Sequence, residues 1–198
     1  MIKETKWQID QAHSTIEFKI RHLMIANVKG EFRKFDANVY TTAKDFPTAE
    51  IDLCIDAASI STGDEKRDEH LRASEFLDVK NHKQITFKAS SIGKANWDGN
   101  HKLCGELTIK GISKQVELNV LFGGIAKDPW GHEKAGFSVI GKLNRSDWGL
   151  TWNSTMDNGG FLLSDEITIL CEIELIKVNQ KDLEMEMESV ATKNGRFN

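Results

Sequence analysis

Histidines offer the most obvious chemistry in this chain, because imidazole is both a metal ligand and a general acid–base group. His13 and His22 fall at the two ends of one segment of alternating residues, too far apart along it to share an ion. The others lie in a charged segment or in expected turns: His70, His82, His101 and His132. None has the His-x-x-x-His or His-Glu-x-x-His spacing of zinc sites. We therefore expect structural or exposed histidines and no metal site.

Nucleophilic catalysis has equally weak signals. The dipeptide His13-Ser14 is not a triad signature, because a triad needs a base that a carboxylate orients across the fold. Cys54, Cys104 and Cys171 are odd in number and lack Cys-x-x-Cys spacing. They therefore indicate neither a disulfide framework nor a zinc knuckle. We expect a protein without catalytic residues and without a cofactor.

The arginines admit two interpretations. Asp68 and Arg72 are four residues apart, as in a weak ion pair on a solvated helix face, and we favour this structural role. Alternatively, Arg67 or Arg72 meets an anionic or amide head group, since guanidinium suits phosphate and carboxylate. Arg145, followed by Trp148 and Trp152, poses the same choice between a structural cation–π contact and a ligand contact.

Residues 59–78 contain the one helix that the sequence predicts, near 64–74. Thr62 and Glu65 have the spacing of a capping box, which places Thr62 at the N-cap. From Asp64 to Arg72 the only apolar residue is Leu71. A helix this polar cannot form a core, so we expect it to cover an opening in a structure made of other elements.

Those other elements are β-strands, because apolar and polar residues alternate along most of the chain. The alternating apolar sets are Ile16, Phe18 and Ile20; Ile51, Leu53 and Ile55; Leu107 and Ile109; Val116, Leu118, Val120 and Phe122; and Ile167, Ile169, Cys171 and Ile173. Further strands are expected near 28–41, 84–94 and 134–146, which makes eight or nine. One apolar face per strand predicts an antiparallel sheet that closes into a barrel or folds into a sandwich. The length of several strands favours an extended, lipocalin-like barrel with room for a ligand.

Composition limits the alternatives. The 198 residues are 39% hydrophobic and carry a net charge of −4 without a cluster of Lys and Arg, which argues against a nucleic-acid partner. No stretch resembles a membrane span or an export leader, so we expect a cytoplasmic protein. Alternation is lost from Gln180, which predicts one domain at 1–178 and a tail at 179–198, either helical or frayed.

Several motifs together resemble those of the YceI-like family, which binds lipids and polyisoprenoids. They are Trp7-x-Ile9-Asp10-x-x-His13-Ser14-x-Ile16-x-Phe18, His22, Val28-x-Gly30-x-Phe32, Ser59-Ile60-Ser61-Thr62-Gly63-Asp64, Arg67-Asp68-x-His70-Leu71-Arg72, Phe76, Ile85-Thr86-Phe87, Gly105-x-Leu107-Thr108-Ile109-x-Gly111-Ile112 and Arg145-Ser146-Asp147-Trp148-Gly149-Leu150-x-Trp152. The resemblance runs from Trp7 to about Val178. It implies a lipocalin-like barrel, a homodimer, and a pore that holds a long isoprenoid or related amphiphile. The chain departs from the family pattern at Ser61 and Lys83, where relatives often have Asp and Pro, and it lacks the leader of many bacterial relatives.

These observations predict a non-enzymatic protein that stores or transports a polyisoprenoid, an isoprenoid quinone, or a fatty acid or amide. The predicted pore lining is Phe18, Ile20, Phe32, Leu53, Ile55, Phe87, Leu107, Leu118, Val120, Phe137 and Val139. Candidate contacts at the head group or mouth are His13, Arg67, Arg72, Arg145 and Trp148. Two alternatives stay open: an enzyme that uses His13, His22 or a carboxylate on a small hydrophobic substrate, and a stress-related interaction module without a ligand.

Overall fold

The computed structural model of the protein describes residues 4–42, 45–93, 99–155 and 160–179. Over these residues the chain forms eleven strands, one α-helix and two short 3₁₀ turns. The strands are β1 (Glu4–Ile9), β2 (Thr15–His22), β3 (Ala26–Phe32), β4 (Phe35–Thr42), β5 (Asp45–Asp56), β6 (Ile60–Ser61), β7 (Gln84–Ala89), β8 (Asn100–Ile109), β9 (Ile112–Lys127), β10 (Glu133–Asn144) and β11 (Leu163–Lys177). Helix α1 is Glu65–Arg72, and the 3₁₀ turns are Ala57–Ser59 and Arg145–Trp148.

The strands close into an antiparallel barrel. Its order is β1-β4-β5-β7-β8-β9-β10-β11, and β11 returns to β1. Strand β11 pairs first with β2 and then, from Leu175, with β1, so β1 and β2 act as one bent strand. In the same way β3 continues into β4, and β5 continues through a 3₁₀ turn into β6. The barrel therefore has eight strand positions, and the predicted extended antiparallel barrel is confirmed. The predicted tail lies outside the described residues, apart from its first one.

Connectivity gives the two ends of the barrel different structures. Several elements follow strands that run toward one end, here called the helix end: helix α1, the segment 73–83, the β2–β3 and β8–β9 turns, and the segments 149–155 and 160–162. The β9–β10 turn and the start of β5 lie at the opposite, far end. Because neighbouring strands are antiparallel, successive connections alternate between the two ends of the barrel. The connection that contains α1 falls at the helix end.

An aromatic cluster fills the far end. Trp7 is completely buried and donates from its indole Nε1 to Thr41 Oγ1 at 3.1 Å. The ring of Phe46 lies 5.1 Å from that of Trp7, 4.9 Å from Phe137 and 5.5 Å from Phe122. Such tilted and edge-on contacts are favourable between rings, and large aromatic side chains bury much apolar surface. Aromatic side chains therefore pack together across the far end of the barrel, around a small pocket of about 90 Å³.

The start of α1 differs from the prediction. Asp64, and not Thr62, is the N-cap, and its Oδ1 accepts the backbone N–H of Arg67 at 2.9 Å. Thr62 instead donates its N–H and its hydroxyl to Asp68 Oδ1, at 2.8 and 2.5 Å. The capping box was wrong because aspartate at position 64 caps a helix as well as threonine does, and the buried carboxylate of Asp68 takes both donors of Thr62.

The predicted Asp68–Arg72 ion pair was also wrong. Arg72 reaches back beneath the helix, where its Nε donates to Ala58 O at 2.9 Å and its Nη2 donates to Ile60 O at 3.1 Å. These carbonyls belong to the 3₁₀ turn and to β6, which leave them free for a side-chain donor. Asp68 and Arg72 together fasten α1 to the chain that precedes it. A second correction concerns His101, which lies in β8 and not in a turn.

Candidate functional site

A cavity of about 720 Å³ runs inside the barrel. This volume is in the range of pockets that enclose small organic ligands, roughly 300–1,000 Å³. Its wall consists of the inward side chains of the strands, with α1 and its flanking segments across the helix end. Alternation along each strand produces this wall, because every second side chain points to the same face.

All eleven predicted pore-lining residues lie on the wall of this cavity. They are Phe18, Ile20, Phe32, Leu53, Ile55, Phe87, Leu107, Leu118, Val120, Phe137 and Val139. Their contact with a ligand stays a prediction. Sequence reasoning missed the parts of the wall that come from segments without alternation, such as Phe76, Leu150 and Trp152. Leu71, the single apolar residue between Asp64 and Arg72, also lines the cavity and was the available signal for the inward face of α1.

The described lining of the cavity is buried toward the far end and reaches solvent at the helix end. Its lining residues toward the far end, including Val39, Phe46 and Leu103, are buried. At the helix end the lining includes Lys66 and Arg67, which are exposed to solvent. A chain-like ligand can therefore enter only past α1 and the segments beside it in this conformation of the described residues.

Polar groups on the wall are few and belong mainly to the helix end. They are Glu17, His22, Thr62, Lys66, Arg67, His70 and Arg145. Most of these side chains are basic, and Glu17 is the carboxylate among them. An apolar interior with charged groups at its mouth matches an amphiphile, whose chain leaves water while its head group stays hydrated.

Arg67 lies at the mouth, and Thr62 orients it. Its Nε donates to Thr62 Oγ1 at 2.7 Å, and its Nη2 donates to Thr62 O at 3.1 Å. Thr62 is in turn fixed by Asp68, as described above. The guanidinium is thus held in place beside the cavity by neutral acceptors.

Arg145 also faces the cavity but is buried, with 5% of its surface exposed. Its Nε donates to Ser164 O at 3.0 Å, and its Nη1 donates to Trp152 O at 2.8 Å and to Leu150 O. Burial lowers the pKa of Arg145, and the charge of Asp165 acts in the opposite direction. The side chain ties the segment after β10 to the start of β11, so the structure gives it a clear structural role.

His70 belongs to an aromatic group at the mouth. Its ring is 5.0 Å from that of Phe76 and 4.8 Å from that of Trp152, both edge-on. Its Nε2 lies 2.8 Å from Glu75 Oε2. The two side chains of this His–carboxylate pair are 38% and 56% exposed, so water screens both of them.

The other three candidate mouth contacts lie off the wall. Arg72 fastens α1, as described above. Trp148 is buried and donates from Nε1 to Leu107 O at 3.1 Å. His13 lies at the bend between β1 and β2, where its Nδ1 is 2.9 Å from Asp10 Oδ2. Each of these side chains therefore has a structural partner and does not line the cavity.

Asp10, His13 and Glu174 form a group whose ligand atoms are close enough to hold a metal ion. Lys134 already places its ammonium there, 2.9 Å from Asp10 Oδ2 and 2.7 Å from Glu174 Oε1. Burial alone would raise the pKa of Asp10, but hydrogen bonds from Lys134 and His13 outweigh it and bring that pKa to about 2. The two carboxylates raise the pKa of Lys134 in return. This cluster is an internal ion-pair network at the bend.

Cys171 is the cysteine on the cavity wall. Burial raises the pKa of its thiol to about 12, and the nearby charges of Glu172 and Glu17 act in the same direction. Because the thiolate is the reactive form, Cys171 behaves as a small apolar side chain.

The fold and the cavity together define a class: extended antiparallel barrels with an apolar interior that opens at one end. The chain matches the model of the YceI-like domain over residues 7–175 and belongs to the YceI-like family. The resemblance that the motifs indicated is therefore confirmed. Among the described residues, no helix is long and apolar enough to cross a membrane.

Relatives in sequence and structure agree with this assignment. A UPF0312 protein of Staphylococcus aureus strain N315 is 36% identical over 164 residues, which are 82% of this chain and 92% of that protein. The YceI protein of Campylobacter jejuni is 35% identical, with a TM-score of 0.67 over 81% of this chain and 91% of its own. A polyisoprenoid-binding domain from Saccharophagus degradans shares the fold, with a TM-score of 0.62 at 12% identity over 86% of this chain and 97% of its own.

Proposed function

We propose that this protein binds one long amphiphile inside its barrel, for storage or transport, and catalyses no reaction. The observation that carries the proposal is the cavity of about 720 Å³, walled by apolar side chains and open at the end that bears charge. Each buried methylene contributes about 0.8 kcal/mol. A long hydrocarbon can therefore be held without a metal, a covalent bond or a cofactor.

The geometry supports one orientation of the ligand. The apolar chain extends toward the Trp7–Phe46 cluster, and the head group stays near Lys66 and Arg67. A reversed ligand would leave its head group among buried side chains without hydrogen-bond partners, which costs several kcal/mol for a charged or strongly polar group. Arg67 is the candidate head-group contact, whereas we assign Arg145 to holding the mouth together.

The ligand classes are a polyisoprenoid, an isoprenoid quinone, and a fatty acid or amide. The domain from Saccharophagus degradans is described as polyisoprenoid-binding, which supports the first class. The cavity wall itself favours any flexible apolar chain, because its side chains are aliphatic and aromatic along the whole barrel. We also predict a homodimer and a cytoplasmic location. Light scattering on the purified protein and cell fractionation test these two predictions.

An enzymatic role receives less support from the mouth. His70 and Glu75 form the His–carboxylate pair at the mouth that most resembles a catalytic pair, but both side chains are substantially exposed. A general base in a closed site works because water is excluded around it, and here solvent reaches both partners. His13 has its carboxylate partner at the bend and does not line the cavity.

Native mass spectrometry of the purified protein tests binding directly, together with solvent extraction of any co-purified lipid. We expect an added prenyl or fatty compound at 100 times its Kd to stabilise the protein by about 2.7 kcal/mol. For a protein of this size, that corresponds to a rise in Tm of roughly 5–10 °C. If no amphiphile co-purifies and Tm does not change with any added compound, the module without a ligand is the better account.

A matched pair of variants links binding to the cavity. Val139 lines the cavity, and its neighbour Ile140 is 46% exposed on the outside of the same strand. Val139→Trp places an indole in the space for the ligand, and Ile140→Trp adds the same ring outside. We expect the first variant to lose the ligand-induced rise in Tm and the second to keep it.

A further inference from the structure

Large apolar side chains stand in solvent at the helix end, among them Ile112, which is 38% exposed at the start of β9. Met24, Ile25 and Phe161 are 54%, 78% and 59% exposed, and together they are called the apolar rim here. The backbone N–H of Leu23 donates to Leu162 O at 2.8 Å, which holds the two segments of the rim side by side. Leu162 lines the cavity. The apolar rim is therefore continuous with the apolar wall inside the barrel.

The turn that displays two of these side chains is strained. Leu23 and Met24 have φ values of 52° and 60°, and the N–H of Ile25 donates to His22 O at 3.2 Å. Tight turns with two such residues usually take Asn-Gly, because bulky side chains are disfavoured in this backbone region. Strained backbone conformations concentrate at functional sites. Here the strained turn places apolar side chains in water, and their exposure does not stabilise the barrel.

Basic side chains flank the rim. Arg21 donates from its Nε to Met24 O at 3.1 Å, which holds its guanidinium at the same turn. Lys66 and Arg67 lie across the mouth on α1 and are exposed. Carboxylates also lie at this end: Asp64 and Asp165 accept from the N–H of Arg67 and from Ser146, whereas Glu65 and Glu69 of α1 are exposed.

We propose that the helix end docks on the surface of an anionic lipid bilayer. The apolar rim enters the boundary between head groups and acyl chains, and Arg21, Lys66 and Arg67 meet the lipid phosphates. This inference rests on the proposed function, because a docked mouth lets an amphiphile pass between bilayer and cavity without crossing water. A small apolar rim beside exposed cations suits shallow insertion into a lipid surface, and docking of a second copy of the chain is the alternative that the oligomeric state tests.

The test measures binding of the full chain to vesicles by flotation, without any amphiphile added. Vesicles of phosphatidylcholine alone are compared with vesicles of equal parts phosphatidylcholine and phosphatidylglycerol. We expect binding to the mixed vesicles, and a loss of at least about tenfold in the triple variant Met24→Ser, Ile25→Ser, Phe161→Ser. Arg21→Gln is expected to lose about fivefold on the mixed vesicles only.

Trp130 supplies the matched control. It is 81% exposed in the β9–β10 turn, at the far end of the barrel. Trp130→Ser removes an exposed apolar side chain without touching the mouth, and we expect it to bind mixed vesicles as the unchanged protein does. The circular dichroism and Tm of each variant establish that it is folded.

Three results would overturn the inference: equal vesicle binding by the triple variant, loss of binding in Trp130→Ser, and conversion of a dimer to a monomer by the triple variant. The third result would assign the rim to an interface between copies. Failure of the proposed function is recognised separately. If vesicles bind through the rim but no amphiphile changes Tm, docking stands and the cavity has another role.

Discussion

Arg145 provides the sharpest test of how the mouth is held together. Arg145→Met keeps an unbranched apolar stem, although a shorter one, and removes three hydrogen bonds, to the carbonyls of Ser164, Trp152 and Leu150. Hydrogen bonds from a charged donor contribute about 1.5–3 kcal/mol each, so the gross loss is roughly 4.5–9 kcal/mol. Removing a buried guanidinium recovers a desolvation cost of several kcal/mol. We therefore expect a net loss of about 3 kcal/mol.

Thermal unfolding measures this loss. For a chain of this length, about 3 kcal/mol corresponds to a fall in Tm of roughly 6–12 °C. The Tm of Arg145→Lys is expected to lie between those of Arg145→Met and the unchanged protein, because one ammonium cannot make all the hydrogen bonds of a guanidinium. The control is Arg33→Gln, which removes an exposed pair with Glu31 and is expected to cost less than about 1 kcal/mol. The reasoning is refuted if Arg145→Met lies within about 2 °C of the unchanged protein while Arg33→Gln behaves as expected.

Three further predictions concern other parts of the barrel. Asp68→Ala leaves the two donors of Thr62 without their acceptor and should lower the unfolding free energy in urea by about 2 kcal/mol. Lys134 and His13 lower the pKa of Asp10 from 3.8 to about 2, so its contribution is complete above pH 3.8 and is lost as the pH falls through about 2. After discounting for solvent screening this contribution is about 1 kcal/mol, measured by urea unfolding across that pH range. With a thiol reagent at neutral pH, exposed Cys104 should react quickly and Cys171 slowly, because burial raises the pKa of Cys171 to about 12.

Each of these three predictions can be contradicted by a specific result. Glu69→Ala changes an exposed carboxylate of the same helix, and an equal effect from it and Asp68→Ala would remove the special role of Asp68. Lys134→Met should flatten the pH dependence between about 2 and 3.8, and an unchanged slope would mean that other carboxylates produce it. Labelling of Cys171 as fast as Cys104 would show that water and reagents enter the cavity freely.

The alternating strands followed from local pattern, whereas the pairing that closes the barrel did not. Alternation in residues such as Ile51, Leu53 and Ile55 fixes which face of a strand is apolar, and period two is a local property. The pairing of β11 with both β2 and β1 joins the first strands to the last. Sequence pattern contains no record of such distant pairings, so the number of strands was predicted but the bent strands and their order became visible only in three dimensions.

For helix α1 the sequence predicted the general role but not the side-chain contacts. Its polarity correctly predicted a cover instead of a core element, but its internal contacts were predicted from local spacing and were wrong. Asp68 and Arg72 have the spacing of an ion pair, yet each finds a stronger partner in the chain before the helix. A buried carboxylate with two donors is better satisfied than an exposed pair at four residues' separation.

The sequence by itself determined the β architecture, the inserted helix and the apolar side of each strand, including the eleven predicted residues that line the cavity. These are properties of nearest neighbours along the chain, where period and composition suffice. Tertiary structure alone decided that the far end is packed by Trp7 and Phe46, and that Arg145 holds together the segments at the mouth. Those outcomes depend on which residues distant in sequence meet at each end, and barrel closure is the step that brings them together.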